Sequence, residues 1–108
     1  MTSMSYMFYG ATAFNQNIGE WDVSNVTNMS NMFCCATAFN QDIGEWEVSN
    51  VTDMSNIFNN ASTFNQDVSK WNVANVTDMR DMFNGATAMT YHFKSHKSDR
   101  WTIFGCCF

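Results

Sequence analysis

The chain has 108 residues, of which 45% are hydrophobic, 16% aromatic and 14% charged. This length supports one domain with a modest core, and the apolar content is too high for a disordered chain. The formal net charge of −5 argues against nucleic-acid binding, because affinity for the phosphate backbone rests on Lys and Arg. No apolar run of about 18 residues is present, so we expect no membrane span.

The sequence repeats with a period of 25 residues from residue 4 to residue 89, with no insertion or deletion. Apolar residues recur at the same position of each repeat. Among these columns are Met4, Met29, Met54 and Met79; Phe8, Phe33, Phe58 and Phe83; Trp21, Trp46 and Trp71; and Val26, Val51 and Val76. We expect the columns to become shared spines of a core when successive repeats stack.

Each repeat divides into two halves with different apolar spacing. In the segment 27–36 the apolar residues follow an i, i+3, i+4, i+7 pattern, which predicts a short helix capped by Thr27, and likewise by Thr52 and Thr77 in later repeats. The other half alternates apolar and polar residues, which predicts one or two short strands with a turn at Gly19, Gly44 or Ser69. The predicted fold class is an α/β solenoid with one short helix and short strands in each 25-residue coil.

The repeat array is predicted to span residues 1–89, with four helical halves and three strand halves. Residues 90–108 match no repeat column, and we interpret them as a C-terminal cap or a docking tail. Charge is uneven along the chain, because residues 1–69 carry a net −7 and residues 70–108 a net +2. Opposite charges at the two ends would favour head-to-tail stacking of copies.

The first coil has no polar cap in this sequence, so its apolar columns are expected to be exposed. Another chain would then cover them, or the sequence is a fragment of a longer array. We therefore predict a protein partner, or self-association, through this coil. The predicted contact residues are Met4, Tyr6, Phe8, Tyr9, Trp101 and Phe104, and Met1 and Met7 belong to the same columns.

The Trp column has two interpretations. Regularly spaced exposed rings at Trp21, Trp46 and Trp71 would form a ladder on which a sugar or a partner stacks, whereas the commoner outcome is burial in the core. Two Asn columns (Asn15, Asn40, Asn65 and Asn25, Asn50, Asn75) are expected to bond main-chain groups of the turns.

Metal and cofactor sites are not expected. Asp42 and Asp67 share a column, but neither their column nor its neighbour holds the three acids that a Ca²⁺ site would need. The vicinal pairs Cys34-Cys35 and Cys106-Cys107 lack the usual zinc spacing, so simple buried thiols are the default, with a disulfide between the pairs and a four-ligand zinc site as alternatives. No set of nucleophile, base and acid stands out, so we predict that the chain is not an enzyme.

The Trp-x-Val-Ser-Asn-Val-Thr string, with Ala36 to Ile43 before it, resembles the BspA-like branch of leucine-rich repeats. That resemblance covers residues 1–89 and implies a helix-bearing array of the surface-protein type, used for binding or adhesion, without catalytic residues. It suggests a surface or secreted location, although the chain carries no signal peptide pattern. The expected function is a protein-interaction or scaffold module. The alternative is a cell-surface domain that binds carbohydrate or protein.

Overall fold

The computed structural model of the protein describes residues 2–90. These residues form four successive units that follow the 25-residue register. We call them unit 1 (2–26), unit 2 (27–51), unit 3 (52–76) and unit 4 (77–90). Between neighbouring units the only sheet-like pairing among the described residues is a parallel bridge in one column, formed by Ser3 with Asn28, Asn28 with Asp53, and Asp53 with Asp78.

The predicted fold class, an α/β solenoid, is wrong. The described part of the chain contains no helix, and its only β-structure is the isolated bridges. Residues 2–90 instead form a compact globule built of turns and irregular segments. The 25-residue periodicity is real, but the local structure inferred from it is not.

Left-handed residues explain why no helix forms. Asn31 has φ 57° and Cys35 φ 65°, and the same two positions are left-handed in every unit. A right-handed helix cannot contain such residues at regular intervals. The apolar stripe of segment 27–36 is satisfied by turns instead, with main-chain bonds such as Met32 N–H to Met29 O at 3.2 Å.

Main-chain hydrogen bonds between units take the place of helical ones. In unit 1 the N–H groups of alternate residues donate to carbonyls of unit 2, and the bonds are Met4 to Asn28, Tyr6 to Ser30, Phe8 to Met32, and Gly10 to Cys34, at 2.8–3.0 Å. The same four bonds recur from unit 2 to unit 3 and from unit 3 to unit 4. Each unit is therefore held by main-chain bonds to its neighbour as well as by the bonds within its own turns.

The Thr column is also placed differently from the prediction. Thr27, Thr52 and Thr77 cap no helix. The N–H of Thr52 donates to Thr27 O at 2.9 Å, and its hydroxyl donates to the same carbonyl at 3.2 Å. Thr27 and Thr77 make the equivalent pair of bonds to Thr2 and Thr52. The column therefore links units to one another.

The predicted shared spines are confirmed. Phe33, Phe58 and Phe83 stack in sequence, with ring centroids 5.6 and 5.4 Å apart. A parallel row of Phe14, Phe39 and Phe64 lies beside them at 5.8 Å intervals. Most members of the apolar columns in units 2 to 4 are buried, so one continuous core runs through the described residues. The turns predicted at Gly19, Gly44 and Ser69 are present as well.

The Asn columns behave as predicted. Asn15 Oδ1 accepts from the N–H of Asn40 at 2.8 Å, and Asn40 Oδ1 accepts from the N–H of Asn65 at 2.9 Å. In the second column, Asn50 Nδ2 donates to Ser24 O at 2.8 Å and Asn75 Nδ2 to Ser49 O at 2.7 Å. These amides satisfy main-chain groups that no regular ladder reaches.

Candidate binding face

The exposed large apolar side chains of the described residues all belong to unit 1. Tyr6 is 57% exposed, Met7 37%, Tyr9 54% and Trp21 43%. We call these four residues the first-unit face. In later units the Met7 and Trp21 columns are buried, so the exposure of Met7 and Trp21 belongs to this end of the core and not to the repeat itself.

The predicted contact residues divide into two groups in the structure. Tyr6 and Tyr9 are exposed and lie together, with ring centroids 5.3 Å apart. Met4 is buried, and Phe8 is half-buried because it stacks on Phe14 at 4.1 Å and on Phe33 at 5.5 Å. Met4 therefore belongs to the core, and Phe8 packs against that core. Trp101 and Phe104, like the rest of the predicted tail after residue 90, lie outside the described residues.

A cavity of about 300 Å³ opens beside the first-unit face. Its lining is four apolar side chains and one acid, namely Met4, Met7, Trp21, Val26 and Asp22. The Ser24 hydroxyl donates to Asp22 Oδ1 at 2.6 Å and the Ser24 N–H donates to the same atom at 3.0 Å. Both bonds lower the pKa of Asp22, so the cavity carries a carboxylate at neutral pH.

Main-chain carbonyls form a second feature of this end. The acceptors used between units are Asn28, Ser30, Met32 and Cys34 in unit 2. Their equivalents in unit 1 are the carbonyls of Ser3, Ser5, Met7 and Tyr9, and no described residue donates to any of them. We call these four carbonyls the acceptor row. This edge therefore presents acceptors where every internal edge is paired.

The Trp column does not form an exposed ladder. Trp46 and Trp71 are each only 4% exposed, and their indole N–H groups donate to the carbonyls of Ile18 and Ile43 at 3.0 Å. Both are core residues, as the second interpretation of the Trp column predicts. Trp21 alone keeps an open ring, and no described residue accepts from its indole N–H. A three-ring ligand surface is absent from the described part of the chain.

The described residues meet neither the requirements of a metal site nor those of a membrane-spanning helix. No three side chains of His, Cys, Asp or Glu come together among residues 2–90 in a way that could hold a metal ion. Asp42 and Asp67 instead accept the N–H of Gly44 and of Ser69 at 2.9 Å. Within the same residues no helix has the length and apolar character needed to cross a membrane.

Comparison with known proteins decides the family. A family model described as "Mycoplasma protein of unknown function, DUF285" matches residues 1–101. The chain belongs to this family. No curated protein and no solved structure matches it. Because the DUF285 description gives no activity, the function has to be argued from the geometry.

Sequence reasoning missed two parts of the candidate site. The repeat pattern gives no reason to select Asp22, although it directly follows the Trp of the first repeat. The acceptor row could not be found from side-chain patterns at all, because it depends on the direction in which main-chain carbonyls point.

Proposed function

We propose that this protein is a non-catalytic module that binds another polypeptide through the first-unit face. The observation that carries the proposal is the concentration of exposed apolar side chains in unit 1, beside a cavity lined largely by apolar groups. A large apolar side chain left in water forfeits roughly 1.5–3 kcal/mol of burial. Contiguous exposure of this kind is typical of interaction sites.

The acceptor row indicates that the partner must supply main-chain hydrogen-bond donors. Each internal junction joins this row to main-chain N–H groups of alternate residues. A partner that continues the pattern would donate to the carbonyls of Ser3, Ser5, Met7 and Tyr9, and would offer one carbonyl to the Trp21 indole. We therefore commit to a polypeptide edge like that of a 25-residue unit. Addition of an extended segment to an open main-chain edge is a common mode of peptide recognition.

A second copy of this chain fits less well. Two first-unit faces placed together would set carbonyl against carbonyl, which gives no hydrogen bond. At the opposite end of the core, the spine side chains of unit 4, Met79, Met82 and Phe83, are already buried and offer no apolar surface to a second copy. Self-association therefore stays an outcome of the test and not the proposal.

The chemistry of the cavity supports binding over catalysis. Among its lining residues only Asp22 can ionise near neutral pH, and the other four side chains are apolar. A catalytic nucleophile is commonly activated by an adjacent general base, and the residues that line this cavity provide no such pair. The adhesin-like alternative, which follows from the BspA-like resemblance, rests on Trp21 alone once Trp46 and Trp71 are buried.

The test uses a synthetic peptide with the sequence of residues 52–76, labelled with fluorescein and titrated with the full chain. In the structure, main-chain N–H groups of this unit donate to carbonyls of unit 4, so the peptide contains the donors that the acceptor row requires. We expect saturable binding by anisotropy, weakened about tenfold or more by Trp21→Glu, as truncation of a central aromatic contact does. Thr63→Glu adds the same charge to an exposed position of unit 3 and should leave the affinity unchanged.

Two results would contradict the proposal. The first is no saturable binding, or equal binding of a scrambled peptide of the same composition. The second is equal affinity of the Trp21→Glu and Thr63→Glu chains. Sedimentation of the chain without peptide supplies a separate check. If the apparent molecular mass of the unmodified chain rises with its concentration, and that of Trp21→Glu does not, the partner is a second copy. That result would overturn the choice of a different polypeptide.

A further inference from the structure

Two adjacent cysteines touch within unit 2. Cys34 Sγ and Cys35 Sγ lie 3.6 Å apart, and both thiols are free. Cys34 is 7% exposed, whereas Cys35 is half-buried and reachable from solvent. The same register positions hold Tyr9-Gly10, Asn59-Asn60 and Asn84-Gly85 in the other units. The repeat itself therefore does not require a thiol at either position.

The peptide group between the two cysteines is bonded on both sides to other units. Its carbonyl, that of Cys34, accepts from the N–H of Gly10 in unit 1 at 2.8 Å. Its N–H, that of Cys35, donates to the carbonyl of Asn59 in unit 3 at 2.8 Å. A change of geometry at this one peptide would therefore reach both junctions of unit 2.

We propose that Cys34 and Cys35 form a reversible oxidation site, which a low-molecular-weight disulfide converts into a vicinal disulfide. The Cys35 thiolate attacks one sulfur of the oxidant, and the first thiol leaves. The Cys34 thiol then loses its proton and attacks Cys35 Sγ, which expels the second thiol. Two electrons pass from the protein thiols to the oxidant, one S–S bond forms in the protein, and two thiols are released.

The order of attack follows from burial. Burial, followed by the hydrogen bond with Cys35 and the charge of its thiolate, raises the pKa of the Cys34 thiol to about 11. Because the thiolate is the nucleophile, Cys34 is a poor first attacker at neutral pH. Cys35 is also the more exposed of the two, so the oxidant reaches it first.

Closing the disulfide strains the peptide between the two cysteines. Adjacent Cα atoms are about 3.8 Å apart across a trans peptide, which is below the usual span of about 4.4–6.8 Å for bridged cysteines. Strained disulfides are the readily reduced ones, so the bond should open again with a mild thiol. While it is closed, the bonds of this peptide to Gly10 and Asn59 should weaken. Gly10 follows Tyr9 of the first-unit face, so oxidation would act on the junction that supports that face.

The test uses the full chain with Cys106→Ser and Cys107→Ser, so that only the unit 2 pair can react. After incubation with glutathione disulfide, intact-mass analysis should show a loss of two hydrogens and no attached glutathione. Dithiothreitol should restore the original mass. Amide hydrogen exchange at Gly10 and Cys35 should be faster in the oxidised chain than in the reduced one.

Asparagine variants provide matched controls, because Asn59 and Asn60 occupy the same two positions in unit 3. Cys34→Asn should stop with one glutathione on Cys35. Cys35→Asn should react several-fold more slowly than Cys34→Asn, because Cys34 is the more buried thiol and burial still raises its pKa. The proposal is wrong if the intact pair keeps glutathione, if it does not react, or if both variants react at the same rate. If the disulfide forms but amide hydrogen exchange at Gly10 and Cys35 is no faster, oxidation does not weaken the junctions of unit 2, and that part of the proposal is wrong.

Discussion

Stacked aromatic rings carry much of the contact between successive units, and Phe58 lies at the centre of them. Its ring is 4.2 Å from that of Phe64, 5.6 Å from Phe33 and 5.4 Å from Phe83, measured between centroids. Phe58 is fully buried. We expect Phe58→Ala to lower the free energy of unfolding by about 3–5 kcal/mol, as truncation of a buried Phe does.

Urea unfolding of the two chains measures that difference. Met7→Ala is the control, because Met7 belongs to a column that is buried in the other units but is itself exposed, so its truncation should cost much less. A loss below about 1 kcal/mol for Phe58→Ala would contradict the shared spine.

Asp22 makes the stability of the folded chain depend on pH. Its bonds from the Ser24 hydroxyl and N–H lower its pKa in the folded chain. A lowered pKa contributes stability that is present above the ordinary value of about 3.9 and is lost as pH falls through the folded value. The side chain is fully exposed, so we predict the direction only.

Asp22→Asn should therefore flatten the loss of stability below about pH 3.9, measured by urea unfolding across the acid range. Asparagine can keep the turn, since Asn72 at the same register position accepts the N–H of Ala74 at 3.1 Å. An acid slope identical to that of the unmodified chain would show that the Ser24 bonds do not favour the ionised carboxylate.

At the scale of the unit, close approach of neighbouring main chains decides which turns need glycine. A Cβ built on Gly44 would lie 2.5 Å from the carbonyl oxygen of Asp67 in the next unit. Gly19 meets Asp42 in the same way. We expect Gly44→Ala to cost about 1–3 kcal/mol, because a main-chain carbonyl must shift to admit the methyl group.

Ser69 provides the comparison, because it occupies the equivalent position of unit 3 and already carries a Cβ. Ser69→Ala should be nearly neutral in the same thermal or urea melts. If Gly44→Ala and Ser69→Ala cost the same, the close packing of unit 2 on unit 3 at this turn is not as described.

The repeat pattern predicted the register, the spines and the turns, because these depend on which side chains recur. It failed at the helix, because an i, i+3, i+4, i+7 stripe fits both a helix and a series of turns interrupted by left-handed residues. Asn56 and Asn60 tolerate φ near 60°, but Cys35 gives no such signal in the sequence. Two further features could not be predicted from the sequence, because both depend on local main-chain geometry. One is the contact between the Cys34 and Cys35 thiols, and the other is the acceptor row.

At the scale of the whole molecule, the two ends of the core differ. The spine of unit 4 is buried, whereas unit 1 presents exposed aromatic side chains and a row of carbonyls to which none of residues 2–90 donates. This asymmetry is the basis of the proposed function. It also means that a polypeptide edge of the right chemistry should be accepted at one end only.

The most direct measurement adds such an edge to the chain itself. A copy of residues 52–76 joined in front of Thr2 continues the register, so its N–H groups can meet the acceptor row. Covalent footprinting read by peptide mass spectrometry should then show Met7, Tyr9 and Trp21 protected, together with a higher urea midpoint. A scrambled unit of the same composition should protect none of them. Equal labelling of the three residues with the native and the scrambled unit would contradict the assignment of the first-unit face as a polypeptide-binding surface.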